Sequence, residues 1–297
     1  MISQDKIRLN DGTHIPIIAF GTWTAGGGSI VTERVDQALE VGFNHIDTAQ
    51  LYRNEEETGV AIRESGLSRD EIYVTTKYSG FKDIETSIQD SLKNLGLSYV
   101  DLYLIHSPRL AQGDIPALWK KMEKIKADGL AKSIGVSNFQ VNDLKILLKN
   151  AKVVPAVNQI QFHPYVYEQQ RAVHAFGHEQ GIITEAYSAL IPITRRPGGP
   201  LDAPLNKIAE RLNATPDQVL LAWVKAKGAV TVTYSSKKER LEGYLEAMEL
   251  ELTSEDIHAL DSAGAKKAKF AALMRPVLLL SLISLTYGVL RFCNIRM

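Results

Sequence analysis

The sequence predicts an α/β chain folded as a (β/α)8 TIM barrel. Short β-rich runs alternate with helix-period runs eight times, which implies a parallel sheet. The eight units occupy about 250 residues, the usual size of one closed barrel, and no shift in composition marks a linker. The residues that close the strands are nearly all polar, as a barrel requires at the mouth where its chemistry sits. An open doubly wound sheet is the competing arrangement that periodicity alone allows.

The elements follow in order. Asp11-Gly12 between two half-strands of Arg8–His14 signals an N-terminal β-hairpin. Ile15–Phe20 is β-rich and ends at Gly21-Thr22-Trp23. Val31–Val41 has helical apolar spacing, Asn44–Asp47 is a strand, and Asn54 is placed to cap a helix to about Ser65. Strands then fall at Ile72–Lys77, Val100–His106, Ala131–Val136, Ala156–Gln161, Ile182–Tyr187 and Val230–Thr233. Helices between and after them cover Ile84–Leu95, Ile115–Ala127, Val141–Leu148, Tyr167–Gln180, Leu205–Leu212, Pro216–Ala226, Lys238–Ala247 and Ser254–Ala263. Thr215 followed by Pro216 is a helix start, because proline at the first helical position loses no hydrogen bond.

Composition narrows the partners. Lysine plus arginine equals aspartate plus glutamate at 34 each in 297 residues, so no basic field suggests nucleic acid. One cysteine, Cys293, excludes an intramolecular disulfide framework and fits a reducing compartment. The N-terminus shows no apolar signal region, so a cytoplasmic catalytic domain is expected.

The residues closing the eight strands are Gly21-Thr22, Asp47, Lys77, His106, Ser137-Asn138, Gln159, Tyr187-Ser188 and Ser235-Ser236. Any one could be a solvated turn residue; a full set at one mouth calls for a chemical reading. A phenol titrates near 10 and donates a proton poorly at neutral pH unless its ionised form is stabilised. A lysine ammonium beside it does so, and an aspartate keeps the lysine charged and in place. A neutral histidine can hydrogen-bond a carbonyl oxygen. Asp47, Tyr52, Lys77 and His106 therefore suit proton donation to a carbonyl, and no cysteine–histidine or serine–histidine–acid set competes. Gly26-Gly27-Gly28 has the wrong spacing for a dinucleotide fingerprint, and His174 and His178 lack the glutamate of a zinc-protease motif, so no metal site is expected.

The chain resembles the aldo-keto reductase family. The resemblance rests on Gly42-Phe-Asn-His-Ile-Asp-Thr-Ala-Gln-Leu-Tyr-Arg-Asn-Glu55 and Leu102-Tyr-Leu-Ile-His-Ser-Pro108. Gly135-Val-Ser-Asn-Phe139, Val157-Asn-Gln-Ile-Gln-Phe-His-Pro164 and Ala186-Tyr-Ser-Ala-Leu190 support it, from about Lys6 to Gly264. It implies that Tyr52 is the general acid, that Lys77 and Asp47 lower its pKa, and that His106 positions the substrate carbonyl while NADPH supplies hydride. It further implies that Ser137, Asn138 and Gln159 hold the nicotinamide carboxamide, that Tyr187 stacks on the ring, and that Gly21, Thr22, Ser188 and Leu190 line the cofactor. A related branch that reduces steroid double bonds has glutamate for His106, so the histidine favours carbonyl reduction.

The match departs from the family at Tyr234, where most relatives have a lysine that pairs with the 2′-phosphate. Arg240 matches the family's arginine, and some fungal ketone-reducing relatives share the run Ser235-Ser236-Lys237, so NADPH/NADP+ is the expected cofactor. A charged helix start with Lys237 and Lys238 in solvent is the lesser alternative. Trp23 is expected to line the substrate pocket with Tyr52 and His106, although a core tryptophan near a strand end would look similar. Ile191–Pro204 reads as a flexible strap over the cofactor pyrophosphate, with Arg195 and Arg196 either on phosphates or in solvent.

Residues 1–265 are thus expected to form the barrel and residues 266–297 an apolar tail helix. Phe270–Leu290 carries only Arg275 and would span about 30 Å as a helix. Four cations precede Pro276 and two follow Leu290, the pattern of a tail anchor holding the barrel on the cytoplasmic side, with membrane association through residues 270–290. An apolar helix packed on the barrel or on a partner, or an altered gene product, would read alike. Two other functions are weighed: a non-catalytic nicotinamide-binding accessory barrel, and an isomerase or aldolase barrel, which would need a lysine or glutamate pair without the tyrosine.

Overall fold

The computed structural model describes residues 5–266. A two-stranded antiparallel hairpin, β1 (Lys6–Arg8) and β2 (His14–Pro16), opens the chain. Its turn closes as expected: Gly12 takes a positive φ of 86°, and Asp11 accepts from the Thr13 amide and hydroxyl at 3.1 and 2.7 Å. Eight parallel strands then close into a barrel: β3 (Ile18–Gly21), β4 (His45–Asp47), β5 (Tyr73–Tyr78), β6 (Val100–Ile105), β7 (Ala131–Ser137), β8 (Val157–Gln161), β9 (Ile183–Tyr187) and β10 (Val230–Thr233). β10 pairs with β3 in the register Thr231↔Ile18, so the sheet has no edge and the open-sheet alternative is excluded.

The predicted Ile15–Phe20 run divides. Its first residues belong to the hairpin and its last to the barrel, with Ile17 between them donating to Asp5. The hairpin closes the amino end of the barrel: Leu9 and Ile15 pack with Leu102, Leu104, Ala156, Val157 and Val230. Asn10 donates to the Pro155 carbonyl at 2.9 Å, and Ser133 donates to Asp11 at 2.8 Å.

The helices form the outer layer: α1 (Ser29–Val41), α2 (Glu55–Glu64), α3 (Ile84–Leu95), α4 (Ile115–Ala127), α5 (Val141–Leu148), α6 (Pro164–Glu179), α7 (Ile191–Thr194), α8 (Asp202–Leu212), α9 (Pro216–Ala226) and α10 (Lys238–Glu246), followed by helical residues 254–266. Their inward stripes bury Val31, Val35, Ile88, Leu92, Trp119, Met122, Leu220 and Trp223 against the sheet. The indole N–H of Trp119 donates to Val153 O and that of Trp223 to Asp261, each at 2.9 Å, so neither ring buries an unpaired donor. Asp83 and Asp114 cap α3 and α4, and Thr215 with Gln218 makes a capping box on α9. Part of the strap expected over Ile191–Pro204 is instead the one-turn helix α7, and α6 begins three residues before the expected start, with Pro164 in its first turn.

Among the described residues no helix is long and apolar enough to cross a membrane. The tail expected over residues 266–297 lies outside the described residues, apart from Lys266.

Candidate active site

Asp47 is the last residue of β4 and Lys77 the fifth of β5, so both side chains reach the carboxyl end of the barrel. Tyr52 follows β4 on a single 3-10 turn, Gln50–Tyr52, that ends where Arg53 adopts φ 56°. Gln50 and Leu51 pin this turn to α3 and to the residue that follows β5: Gln50 accepts from the Ser79 amide at 3.3 Å and donates to Ser87 O at 3.1 Å, and the Leu51 amide donates to Ser79 Oγ at 3.1 Å. The phenol is thereby held beside Lys77.

Asn54 stands at the N-cap of α2, yet its side chain does not cap that helix. It donates to Thr22 O at 2.9 Å and accepts from the Thr48 hydroxyl at 3.1 Å, tying the loops after β3 and β4 together. Thr22 is wholly buried in this knot, and its amide donates to Asp47 O at 2.9 Å.

The Lys77 ammonium donates to both Asp47 carboxylate oxygens at 2.7 and 2.8 Å, to Thr48 O at 2.9 Å and to the Tyr52 hydroxyl at 3.3 Å. Burial pulls the Lys77 pKa down, but Asp47, Tyr52 and Glu185 together carry it above its ordinary value, so it is a fixed cation. Burial raises the Tyr52 phenol; the Lys77 charge pulls it back and the Asp47 charge pushes it further up. This corrects the expectation that lysine and aspartate together lower the phenol. The net direction is upward, because burial outweighs the pull of Lys77, and Asp47 acts by holding the lysine.

The His106 ring meets the Tyr52 ring edge-on at 5.7 Å, and its Nδ1 lies 3.3 Å from Ser79 Oγ. Burial first, then the Lys77 charge, lowers its pKa to about 3, so it is neutral across the physiological range. Trp23 packs on Tyr52 from the other side at 4.9 Å and is 61% exposed, which makes it a wall of the mouth and not a core tryptophan.

Behind the ion pair, the strand ends of β7, β8 and β9 are joined by polar contacts. Ser137 donates to Gln159 O at 2.9 Å; Asn138, at φ 62°, donates to His106 O at 3.0 Å and accepts from the Tyr187 hydroxyl at 2.8 Å. The amide nitrogen of Gln159 donates to Asp47 and to Glu185, each at 2.8 Å.

A cavity of ≈ 340 Å³ opens beside Asp47. Of the residues anticipated for the cofactor, Gly21, Asp47, Tyr187, Ser188, Leu190, Ser235, Ser236 and Arg240 line it, together with Trp23 and Arg195. Ser137, Asn138 and Gln159 sit behind Asp47 and Tyr187, while Lys237 is exposed at the start of α10 and is not part of the wall. Lys238 is drawn away to Glu40 at 3.6 Å. Ile191 and Thr194 of the expected strap also line the cavity, whereas sequence reasoning missed Thr24, Ala189, Val232, Thr233 and Tyr244 on this wall, and Glu185 beneath it. His174 is half-buried with Nδ1 2.8 Å from Thr184 Oγ1.

A closed parallel barrel with an acid–base cluster at its carboxyl mouth defines a barrel enzyme, and the comparisons say which. A model described as Aldo/keto reductase family matches residues 17–265. The chain is 38% identical to the NAD/NADP-dependent indole-3-acetaldehyde reductase of Schizosaccharomyces pombe, over 87% of this chain and 95% of that one. It is 37% identical to the glyoxal reductase of Bacillus subtilis, over 87% and 92%. Among solved structures, a Bombyx mori aldo-keto reductase in complex with NADP superposes with a TM-score of 0.80 at 34% identity, covering 87% of this chain and 92% of that one. The chain belongs to the aldo/keto reductase family, and is an NAD(P)-dependent oxidoreductase acting on carbonyl groups.

Proposed function

We propose that this chain reduces an aldehyde or ketone to the alcohol with NADPH, reversibly, and that Tyr52 is the general acid. The contact chain Asp47–Lys77–Tyr52 carries this reading, because it sets a fixed positive charge 3.3 Å from a phenol at the barrel mouth. Tyr52 donates its proton to the carbonyl oxygen, and Lys77 stabilises the phenolate left behind. His106, neutral, donates a hydrogen bond that orients the same oxygen.

The wall beside Asp47 fits a nicotinamide dinucleotide. Gly21 lines it where a Cβ would stand 2.9 Å from Val232 Cγ1, and the Tyr187 ring is braced by its bond to Asn138. In this reading Ser137, Asn138 and Gln159 hold the carboxamide, with Tyr187 against the ring. Gly21, Thr22, Ser188 and Leu190 shape the central channel, and Ser235, Ser236 and Arg240 hold the 2′-phosphate end, with Lys237 reaching it from outside the wall. The bound cofactor supplies the hydride. Small aldehydes and dicarbonyls head the candidate substrates, since relatives are named for indole-3-acetaldehyde and glyoxal.

The test is Tyr52→Phe assayed by NADPH absorbance against aldehydes, diketones and sugar acids. Turnover falls by about 10²–10⁴ while NADPH still binds. Near-normal turnover removes Tyr52 from its role; a wild-type chain that binds NADPH and reduces nothing is an accessory barrel instead. We also read residues 266–297 as a tail separate from the barrel of residues 1–265 and acting as a membrane anchor. Recovery of the full-length chain in the soluble fraction of a carbonate wash overturns that part alone.

A further inference from the structure

Glu185 lies in the middle of β9 and is wholly buried, with its side chain inside the barrel below Asp47. A carboxyl group in such a place is costly, and an aliphatic residue would fill a barrel core more cheaply. Its Oε2 accepts from Gln159 Nε2 at 2.8 Å. Its Oε1 has no hydrogen-bond partner among the described residues; His45 Nε2 lies 3.9 Å away, already 2.8 Å from Thr75 Oγ1, and burial keeps that ring neutral.

The contact with Gln159 explains the placement. The same amide nitrogen donates to Asp47 Oδ2, also at 2.8 Å, so both of its hydrogens are committed to carboxyl oxygens. One such bond leaves the amide free to swing about the bond axis, whereas two fix its plane. What remains of the Gln159 side chain for a ligand is its carbonyl oxygen, which can only accept. That oxygen suits the N–H of a carboxamide and does not suit its carbonyl.

We propose that Glu185 is a positioning residue for the reaction: by accepting the second N–H of Gln159 it fixes that side chain as an acceptor for the cofactor's carboxamide. The inference rests on the nicotinamide reading of the cavity and extends it to a residue that touches neither cofactor nor substrate. The charged and titratable groups around Glu185 are Asp47 and Lys77 at the mouth, His45 on β4, and the phenols of Tyr52 and Tyr73. Burial and then the Asp47 charge raise Glu185, while Gln159 and Lys77 pull it back, so it holds its proton near neutrality. A neutral carboxylic acid whose carbonyl oxygen faces Gln159 is closely mimicked by a carboxamide. Glutamine therefore preserves the function and methionine, of similar length but with no oxygen, abolishes it.

The experiment is a fluorescence titration of the full-length chain with NADPH at pH 7, on wild type, Glu185→Gln, Glu185→Met, Gln159→Leu and the Glu185→Met/Gln159→Leu pair. The expected result is a Kd within twofold of wild type for Glu185→Gln and about tenfold weaker for Glu185→Met. Gln159→Leu weakens binding at least as much, and the double variant is no weaker than Gln159→Leu alone, because the two act as one unit. Losses that add, or a Glu185→Met Kd equal to wild type, overturn the inference. If Glu185→Met does not fold by circular dichroism, Glu185→Val replaces it under the same criteria. A wild-type chain that binds no NADPH overturns the cofactor reading and this inference together, whereas tight wild-type binding that ignores Glu185 overturns this inference alone.

Discussion

Lys77 donates to Asp47 at 2.7 and 2.8 Å and to the Tyr52 hydroxyl at 3.3 Å, so the carboxylate has the tighter hold on the ammonium. The lysine is anchored from below and offered to the phenol from above. Both members of the ion pair are out of reach of solvent, which makes their mutual dependence measurable.

Asp47→Asn leaves the Lys77 charge buried without its counter-ion and should cost about 3–5 kcal/mol in urea unfolding. Lys77→Met should cost a similar amount by stranding the carboxylate. The double variant Asp47→Asn/Lys77→Met should cost clearly less than the sum of the two. Additive losses would show that the two residues do not depend on each other.

His106 should stay neutral from pH 8 down to pH 5, since burial and Lys77 hold its pKa near 3. Lowering the pH through 6.5 would charge an exposed imidazole but leaves this one unprotonated. Carbon-13 shifts of the His106 ring, assigned by loss in His106→Gln, check this. An imidazolium forming near pH 6.5 would remove histidine as a neutral hydrogen-bond donor at working pH.

Arg240 lines the cavity, while Lys237 lies outside the wall. Arg240→Ala should raise KM for NADPH by about tenfold or more, the worth of a charged hydrogen bond. KM for NADH should change little, and Lys237→Ala should have the smaller effect on NADPH. Equal losses for both cofactors would place Arg240 away from the 2′-phosphate.

Gly59 on α2 packs directly on the last turn of α3, where a Cβ would press on the Leu95 carbonyl oxygen and stand 2.6 Å from Leu95 Cα. Gly59→Ala ordinarily gains about 1 kcal/mol of helix propensity. Overpacking against backbone costs about 1–3 kcal/mol, so a lowered urea midpoint is expected, and an unchanged or raised midpoint would mean that α2 and α3 separate easily.

The barrel was legible because strands buried on both faces read as apolar runs between helix-period segments, and because chemistry-bearing residues end the strands. Asp47, Tyr52, Lys77 and His106 announce themselves in this way, each at or just past a strand end. Glu185 did not, since a lone glutamate within Ile183–Tyr187 resembles an outward-facing strand residue until the register shows it facing Gln159. Asn54 carries the composition of a helix cap, and only tertiary competition from Thr22 and Thr48 redirects its side chain. Thr24 and Tyr244 come from loops and helices far apart in the chain, and no local pattern relates them before the sheet closes.

That closure has a consequence for how the chain is made. Gly21 and Val232 share one wall of the cavity, and they meet only where β10 zips onto β3 in the register Thr231↔Ile18. Contacts between such distant segments are the slow ones to form. In a chain stopped before β10, the strands that carry Asp47 and Lys77 would lack the partner that completes the Gly21–Val232 wall. If the cavity is the cofactor groove, as proposed, cofactor binding would wait for β10, and a chain released short of it would carry Asp47, Tyr52 and Lys77 without that groove.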